Sequence, residues 1–297
     1  MIKAFKNYIN SLTPHRRACA VLLVFFVLFS VSHKIFSSIA ISDYIATALA
    51  LIAPIVIVLS FYLFITKPDR KRFFRVNKVS ASDIGLWFFL GVCANCALTV
   101  IDIPINAFWQ QFFSLPRAIL SPHSFGEYIV GVICIAVVPA VFEELFCRGI
   151  ILREYENYGR TFAIIASALA FLVLHNSVTS AVSMLLLGLM LAFIVTKTNS
   201  IFPAMIFHFA LNFFSLTVSY ISESVIPYHL QSELSLVINI LFIFLALTFF
   251  ITVFSVLSSK SKKSGRTKKI ARPKMGFSFS LIIVILIYIF TQLKFFM

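Results

Sequence analysis

The run Val-Val-Pro-Ala-Val-Phe-Glu-Glu-Leu-Phe-Cys-Arg places Glu143, Glu144 and Arg148 inside an otherwise apolar stretch. Burying one carboxylate in hydrocarbon costs roughly 2.5–3.5 kcal/mol on insertion scales, so a pair of them points to work done in the membrane. Downstream, His175 stands four residues after Phe171 and His208 four before Asn212, again among apolar residues. Consecutive helix positions diverge by about 100°, so the two glutamates cannot aim at one spot. Glu144 precedes Arg148 by four residues, the favourable order for an ion pair, and reads as a structural clamp. Glu143 has no local partner and is the candidate general base, because a desolvated carboxyl is suited to taking a proton from water. The two imidazoles could hold a water or a metal beside it, and Asn212 could donate to the oxyanion of a tetrahedral intermediate. Glu143, His175 and His208 are also a zinc-type ligand set with one position open. Spacing does not distinguish a metal-bound water from one held by Glu and His alone.

These groups need elements that bring them together. The chain has 297 residues, 60% of them hydrophobic and 12% charged, with 35 Phe. Soluble domains carry about 25% charged residues, so the composition is that of a polytopic membrane protein. Apolar runs near the roughly 20 residues a bilayer requires fall at about 18–38, 44–66, 84–104, 127–147, 161–176, 179–196, 201–221, 234–258 and 276–296. In lipid the backbone must satisfy its own hydrogen bonds, and no barrel alternation is present. The expected fold is therefore all-α, a bundle of about nine transmembrane helices with a four-helix core. Residues 1–125 read as N-terminal accessory helices, 126–218 as the core, and 219–297 as C-terminal accessory helices with a basic loop.

Pro139, four residues before Glu143, removes a backbone donor and frees the carbonyl of Ile135. The Glu143 helix can run on to a stop at Asn157-Tyr-Gly159, about 15 residues or roughly 22 Å below the acid. The next helix climbs the same distance from Thr161 to His175, so the two groups return to one level. His208 lies only eight or nine residues beyond the Asn199-Ser200 turn, and a deeper-set loop is needed to match it.

The formal charge is +14, yet its distribution argues against nucleic acid. With nine spans and a cytoplasmic N-terminus, 22 of the 25 Lys and Arg fall on the cytoplasmic side; Lys34, Arg117 and Lys294 do not. That is the positive-inside pattern. Anionic lipid head groups are the expected partners of the basic loops. The first apolar run follows a basic stretch, as a signal peptide would, and reads here as an uncleaved helix in the plasma membrane. Cys93 and Cys96 have redox spacing but lie in a membrane helix and read as packing residues.

Neither a His-Glu-x-x-His zinc helix nor the Gly-x-Ser-Gly and Gly-x-Gly-Asp signatures of other intramembrane proteases are present. Glu-Glu-x-x-x-Arg at 143–148, Phe-x-x-x-His at 171–175 and His-x-x-x-Asn at 208–212 resemble, in order, the three motifs of the CAAX-protease and bacteriocin-processing family. This family is also called ABI or type II CAAX prenyl endopeptidase-like. The resemblance covers about 126–218. It implies an intramembrane endopeptidase acting on a membrane-embedded or lipidated protein or peptide, at a bond inside or at the cytoplasmic edge of the bilayer. It further implies Glu143 as the water-activating residue, His175 and His208 around it, Asn212 at the oxyanion, and Glu144, Arg148 and Phe171 in support. The metal-dependent and glutamic mechanisms both stay open under it, zinc being the metal in question. Two rival classes are an immunity or scaffold protein binding a partner through the same cavity, and a proton-coupled transporter. The lack of repeats and of Gly-interrupted helices counts against the transporter.

Overall fold

Helices and the turns between them account for all regular structure in the computed structural model, which describes residues 2–112, 120–175, 177–226, 228–258, 281–286 and 288–289. Their order is α1 (Ile2–Ser11), α2 (Pro14–Ser37), α3 (Asp43–Thr66), α4 (Arg70–Phe73), α5 (Ala81–Gln110), α6 (Phe125–Tyr158), α7 (Arg160–His175), α8 (Ala181–Thr198), α9 (Phe202–Tyr220) and α10 (Tyr228–Ser258). Among the described residues, six are long and apolar enough to cross a bilayer: α2, α3, α5, α6, α8 and the stretch Phe202–Val225 that prolongs α9. Two shorter apolar pieces are α7, with 16 residues, and Val237–Thr252 within α10. The chain is an all-α, multi-pass membrane protein. The ninth expected span, 276–296, lies mostly outside the described residues, as does the basic loop after Ser258; 281–286 and 288–289 are helical. Helices α1 and α4, too short to cross, were not expected from hydropathy.

Polar starts and left-handed stops set the bounds of these elements. Thr13, Ser80 and Ser124 cap α2, α5 and α6 by accepting from the backbone N–H three residues on. Lys67 and Asn199 end α3 and α8 in left-handed conformation, and Gly159, at φ 115°, ends α6 where glycine was expected to stop it. Helix α6 is not uniform. Two π-helical stretches, Val132–Val137 and Leu145–Ile151, flank the short α segment that carries Pro139, Glu143 and Glu144. Such widened turns recur at functional sites in helices.

Close approach of backbones fixes the packing around α6. Helix α5 lies along α9, and a Cβ on Gly91 would run into the Phe207 carbonyl and stand 2.8 Å from the Ala210 Cβ. Helix α8 lies along α7, where a Cβ on Gly188 would stand 2.9 Å from the Ala168 Cα. Cys93 and Cys96 are fully buried free thiols on the packing face of α5.

The end of the bundle that carries the basic loops is tied together by polar bonds. Arg75 accepts from the Ile201 N–H at 3.2 Å, and the Asn77 carbonyl accepts from the Ser200 hydroxyl at 2.9 Å. Arg153 donates to the carbonyls of Phe73 and Arg72, and Arg75 pairs with Glu156. The α8–α9 turn is thereby roofed over, with Ser200 and Ile201 buried. This is the deeper-set loop that His208 required. A second knot lies nearby. Arg17 of α2 grips the buried Glu154 of α6 with two bonds of 2.8 and 2.9 Å, and Tyr62 of α3 donates to the same carboxylate at 2.6 Å. These bonds attach α2 and α3 to α6.

Candidate active site

Glu143 and Glu144 leave α6 in different directions and meet opposite edges of one imidazole. The Glu144 Oε1 accepts from Arg148 Nη1 at 3.0 Å, the expected clamp, and lies 3.2 Å from His208 Nδ1. A carboxylate oxygen only accepts, so His208 Nδ1 carries hydrogen and its Nε2 faces Glu143 Oε2, 4.0 Å away. His175 is set in the same way. Its Nδ1 lies 2.9 Å from the Phe171 carbonyl one turn back and must donate, which leaves Nε2 facing Glu143 Oε2 at 3.8 Å. The Nε2 atoms of two imidazoles thus converge on one carboxyl oxygen, and in the neutral rings each carries a lone pair.

That oxygen is buried and has no hydrogen-bond partner among the described residues. Leaving a buried polar atom unpaired costs about 1–3 kcal/mol, more for a charged one, so the site is built to receive something that donates. Glu143 is 6% exposed, and Glu144, Arg148 and His208 are buried still deeper. The His175 side chain is 27% exposed and is the open edge of the group.

Phe171 explains why an apolar residue belongs to the second motif. Its fully buried ring lies 4.3 Å from the His175 ring, 5.8 Å from the His208 ring in an edge-on arrangement, and 4.6 Å beneath the Arg148 guanidinium. A desolvated guanidinium over an aromatic face gains on the order of 2 kcal/mol. Arg148 also donates through Nη2 to the Gly188 carbonyl at 3.2 Å, so one side chain spans α6, α7 and α8.

Asn212 lies one turn beyond His208 on α9, and its Nδ2 donates to the Ile135 carbonyl at 3.2 Å. This is the carbonyl that Pro139 was expected to free, and the side-chain amide takes the place of the missing backbone donor. One of the two amide hydrogens is therefore engaged with α6 and the other is left for a ligand. The structure brings Glu143, Glu144, Arg148, Phe171, His175 and His208 into one contact group and sets Asn212 a turn away.

The spacing of the donors bears on zinc. Tetrahedral ligands at about 2.0–2.1 Å stand roughly 3.4 Å from one another. The gaps of 3.8 and 4.0 Å around Glu143 Oε2 are wider. Among the described residues no group of three His, Cys, Asp or Glu is arranged to hold a metal ion. A water about 2.8 Å from two acceptors 3.8–4.0 Å apart subtends roughly 90° at its oxygen, close to its own H–O–H angle.

A further polar pair lies outside the three motifs. Ser183, at the start of α8, donates to Asp102 of α5 and anchors the α7–α8 hairpin beside the site. The signal was a carboxylate inside an apolar run, as for Glu143, but without a neighbouring motif. No curated protein and no solved structure matches the chain. Residues 125–214, which hold all three motifs and every member of the contact group, match the family model described as type II CAAX prenyl endopeptidase Rce1-like.

Proposed function

We propose that the protein is an intramembrane endopeptidase in which Glu143 activates a water for attack on a peptide carbonyl. The observation that carries this reading is the convergence of His175 Nε2 and His208 Nε2 on Glu143 Oε2 at 3.8 and 4.0 Å. A water between them donates one hydrogen to Glu143 and one to an imidazole. As its oxygen bonds to the carbonyl carbon, Glu143 takes the proton and the carbonyl oxygen gains the negative charge. The second hydrogen of the Asn212 amide, with the Ile135 bond holding the group in place, supports donation to that oxyanion. Collapse reforms the carbonyl and breaks the C–N bond, and the proton held by Glu143 passes to the departing amine. Glu144 and Arg148 act through His208, fixing its tautomer and ring plane, and so are positioning residues.

The wide donor spacing favours a glutamic mechanism without metal, and no step here requires one. The substrate class is a membrane-embedded or lipid-anchored protein or peptide, since the site lies at mid-helix in an apolar bundle. The charge asymmetry supports a cytoplasmic N-terminus and anionic lipid at the basic loops, and the membrane proposed is the plasma membrane. The test is a comparison of new peptide termini in membranes holding wild-type protein, Glu143→Ala or His208→Ala at equal expression. Loss of the same termini in both variants is expected. A Glu143→Gln protein with full biological activity would instead assign the cavity to binding.

A further inference from the structure

Of the residues placed at the site, Asn212 lines a polar cavity, while the Glu143 contact group lies one turn deeper in packed surroundings. Arg148 lies over the Phe171 ring, and Phe146, Ile150, Leu191 and Phe207 of the same core as Phe171 are buried to 2% exposure or less. The cavity, of about 580 Å³, opens between α2, α3, α6 and α9. Its polar lining comes from His33, Ser37, Asp43, Thr47, Asn212 and Ser215. Its inner wall includes Ile135 and Asn212, the bonded pair one turn, about 6 Å, above His208.

We infer that this cavity admits the substrate polypeptide, and that it does so from the extracytoplasmic face; the inference rests on the endopeptidase reading. The volume lies within the roughly 300–1,000 Å³ of ligand pockets. Hydroxyls, an amide, an imidazole and a carboxylate are partners for backbone N–H and C=O groups, which an acyl chain does not have. The contrast is a cavity of about 450 Å³ among α5, α8, α9 and α10, walled by Trp87, Leu98, Met190, Phe207, Phe249 and similar side chains. It offers a peptide backbone almost nothing to bond. The direction follows from charge. The turn between α2 and α3, at the mouth of the polar cavity, lies at the end away from Lys67–Lys78, Arg153 and Lys197, and basic loops stay in the cytoplasm. The bond attacked then belongs to a segment that reaches the site from the outer leaflet and is cut inside the bilayer, the first of the two positions expected from the sequence.

The experiment places one cysteine in the cavity and asks which compartment reaches it. All five native cysteines are buried, so background labelling is low. Ala46→Cys in the full chain, with Leu120→Cys as a second variant in case the first folds poorly, is treated with a membrane-impermeant maleimide on intact cells. Ser82→Cys, on the basic end, is the control. The cavity cysteine is expected to react in intact cells and Ser82→Cys only after lysis. The bulky adduct is expected to remove the Glu143-dependent peptide termini that the same variant produces unlabelled. Reaction of the cavity cysteine only after lysis, or in neither case, overturns the inference. So does unchanged product formation by the labelled protein. If wild-type protein yields no Glu143-dependent termini, the endopeptidase reading fails and takes the cavity's substrate with it, while labelling still reports which face the cavity opens to.

Discussion

Glu144 and Arg148 form a buried pair whose partners lie on three other helices, and that makes their loss unequal. Removing the cation by Arg148→Ala leaves Glu144 charged and buried beside His208, at a cost of about 3–5 kcal/mol. The expected result is a clear drop in thermal stability of the purified protein together with lost activity. Arg148→Lys should not restore either, because a point charge cannot serve the Glu144 oxygen, the Gly188 carbonyl and the Phe171 face together. Glu143→Ala, by contrast, is expected to lower turnover by at least about a hundredfold, the usual scale for a general base. Stability should stay near that of wild type or rise, since a buried oxygen without a partner is removed. The two variants side by side, in a melting curve and a turnover assay, separate the clamp from the base. The Glu144–Arg148 pair was legible in the sequence, because an i, i+4 acid–base pair finds itself on any helix. The bridging position of His208 between the two glutamates was not, because its ring plane is set by a neighbour 64 residues away.

At the scale of elements, the site depends on how near the helix backbones come. Gly91 lets α5 reach the Phe207 carbonyl, immediately before His208. Gly91→Ala must push α9 away, and overpacking of this kind costs about 1–3 kcal/mol. Turnover is expected to fall as His208 leaves Glu143, although residue 91 touches neither; unchanged turnover would show that α9 is not held by this contact. Equal path lengths from Gly159 to Glu143 and to His175 put those two at one level. The shorter path to His208 demanded a sunken turn, and the sequence did not say what would cover it. The cover is the segment Arg75–Asn77: the Arg75 and Asn77 carbonyls accept from the Ile201 N–H and the Ser200 hydroxyl, and the Asn77 side-chain amide donates to the Asn199 carbonyl, bonds that each use a main-chain carbonyl without a residue signature. The π-helical turns on either side of Glu143 were equally silent, since Pro139 announces a break without announcing its form.

Among the described residues, Lys and Arg gather at one end of the bundle, and α2 and α3, outside the matched segment, are fastened to it there. Arg17, Tyr62 and Glu154 join α2 and α3 to α6, and the same two helices wall the polar cavity. Glu154→Gln is expected to loosen that attachment, seen as faster proteolysis between α2 and α3 in membranes while the Glu143 contacts persist. Hydropathy and charge were enough to give an all-α, multi-pass bundle, because lipid leaves the backbone one choice and Lys and Arg mark one face. They could not show that α2 and α3 take part in the site's surroundings, since no motif lies in them. In the proposed mechanism Glu143, His175 and His208 share one water that attacks a peptide bond. It is tested most directly by quantitative peptide-terminus analysis of membranes carrying wild-type protein, Glu143→Ala, His175→Ala or His208→Ala at matched levels. The account expects one set of termini, present with wild-type protein and absent with all three variants. The same termini in undiminished amount with Glu143→Ala would contradict it.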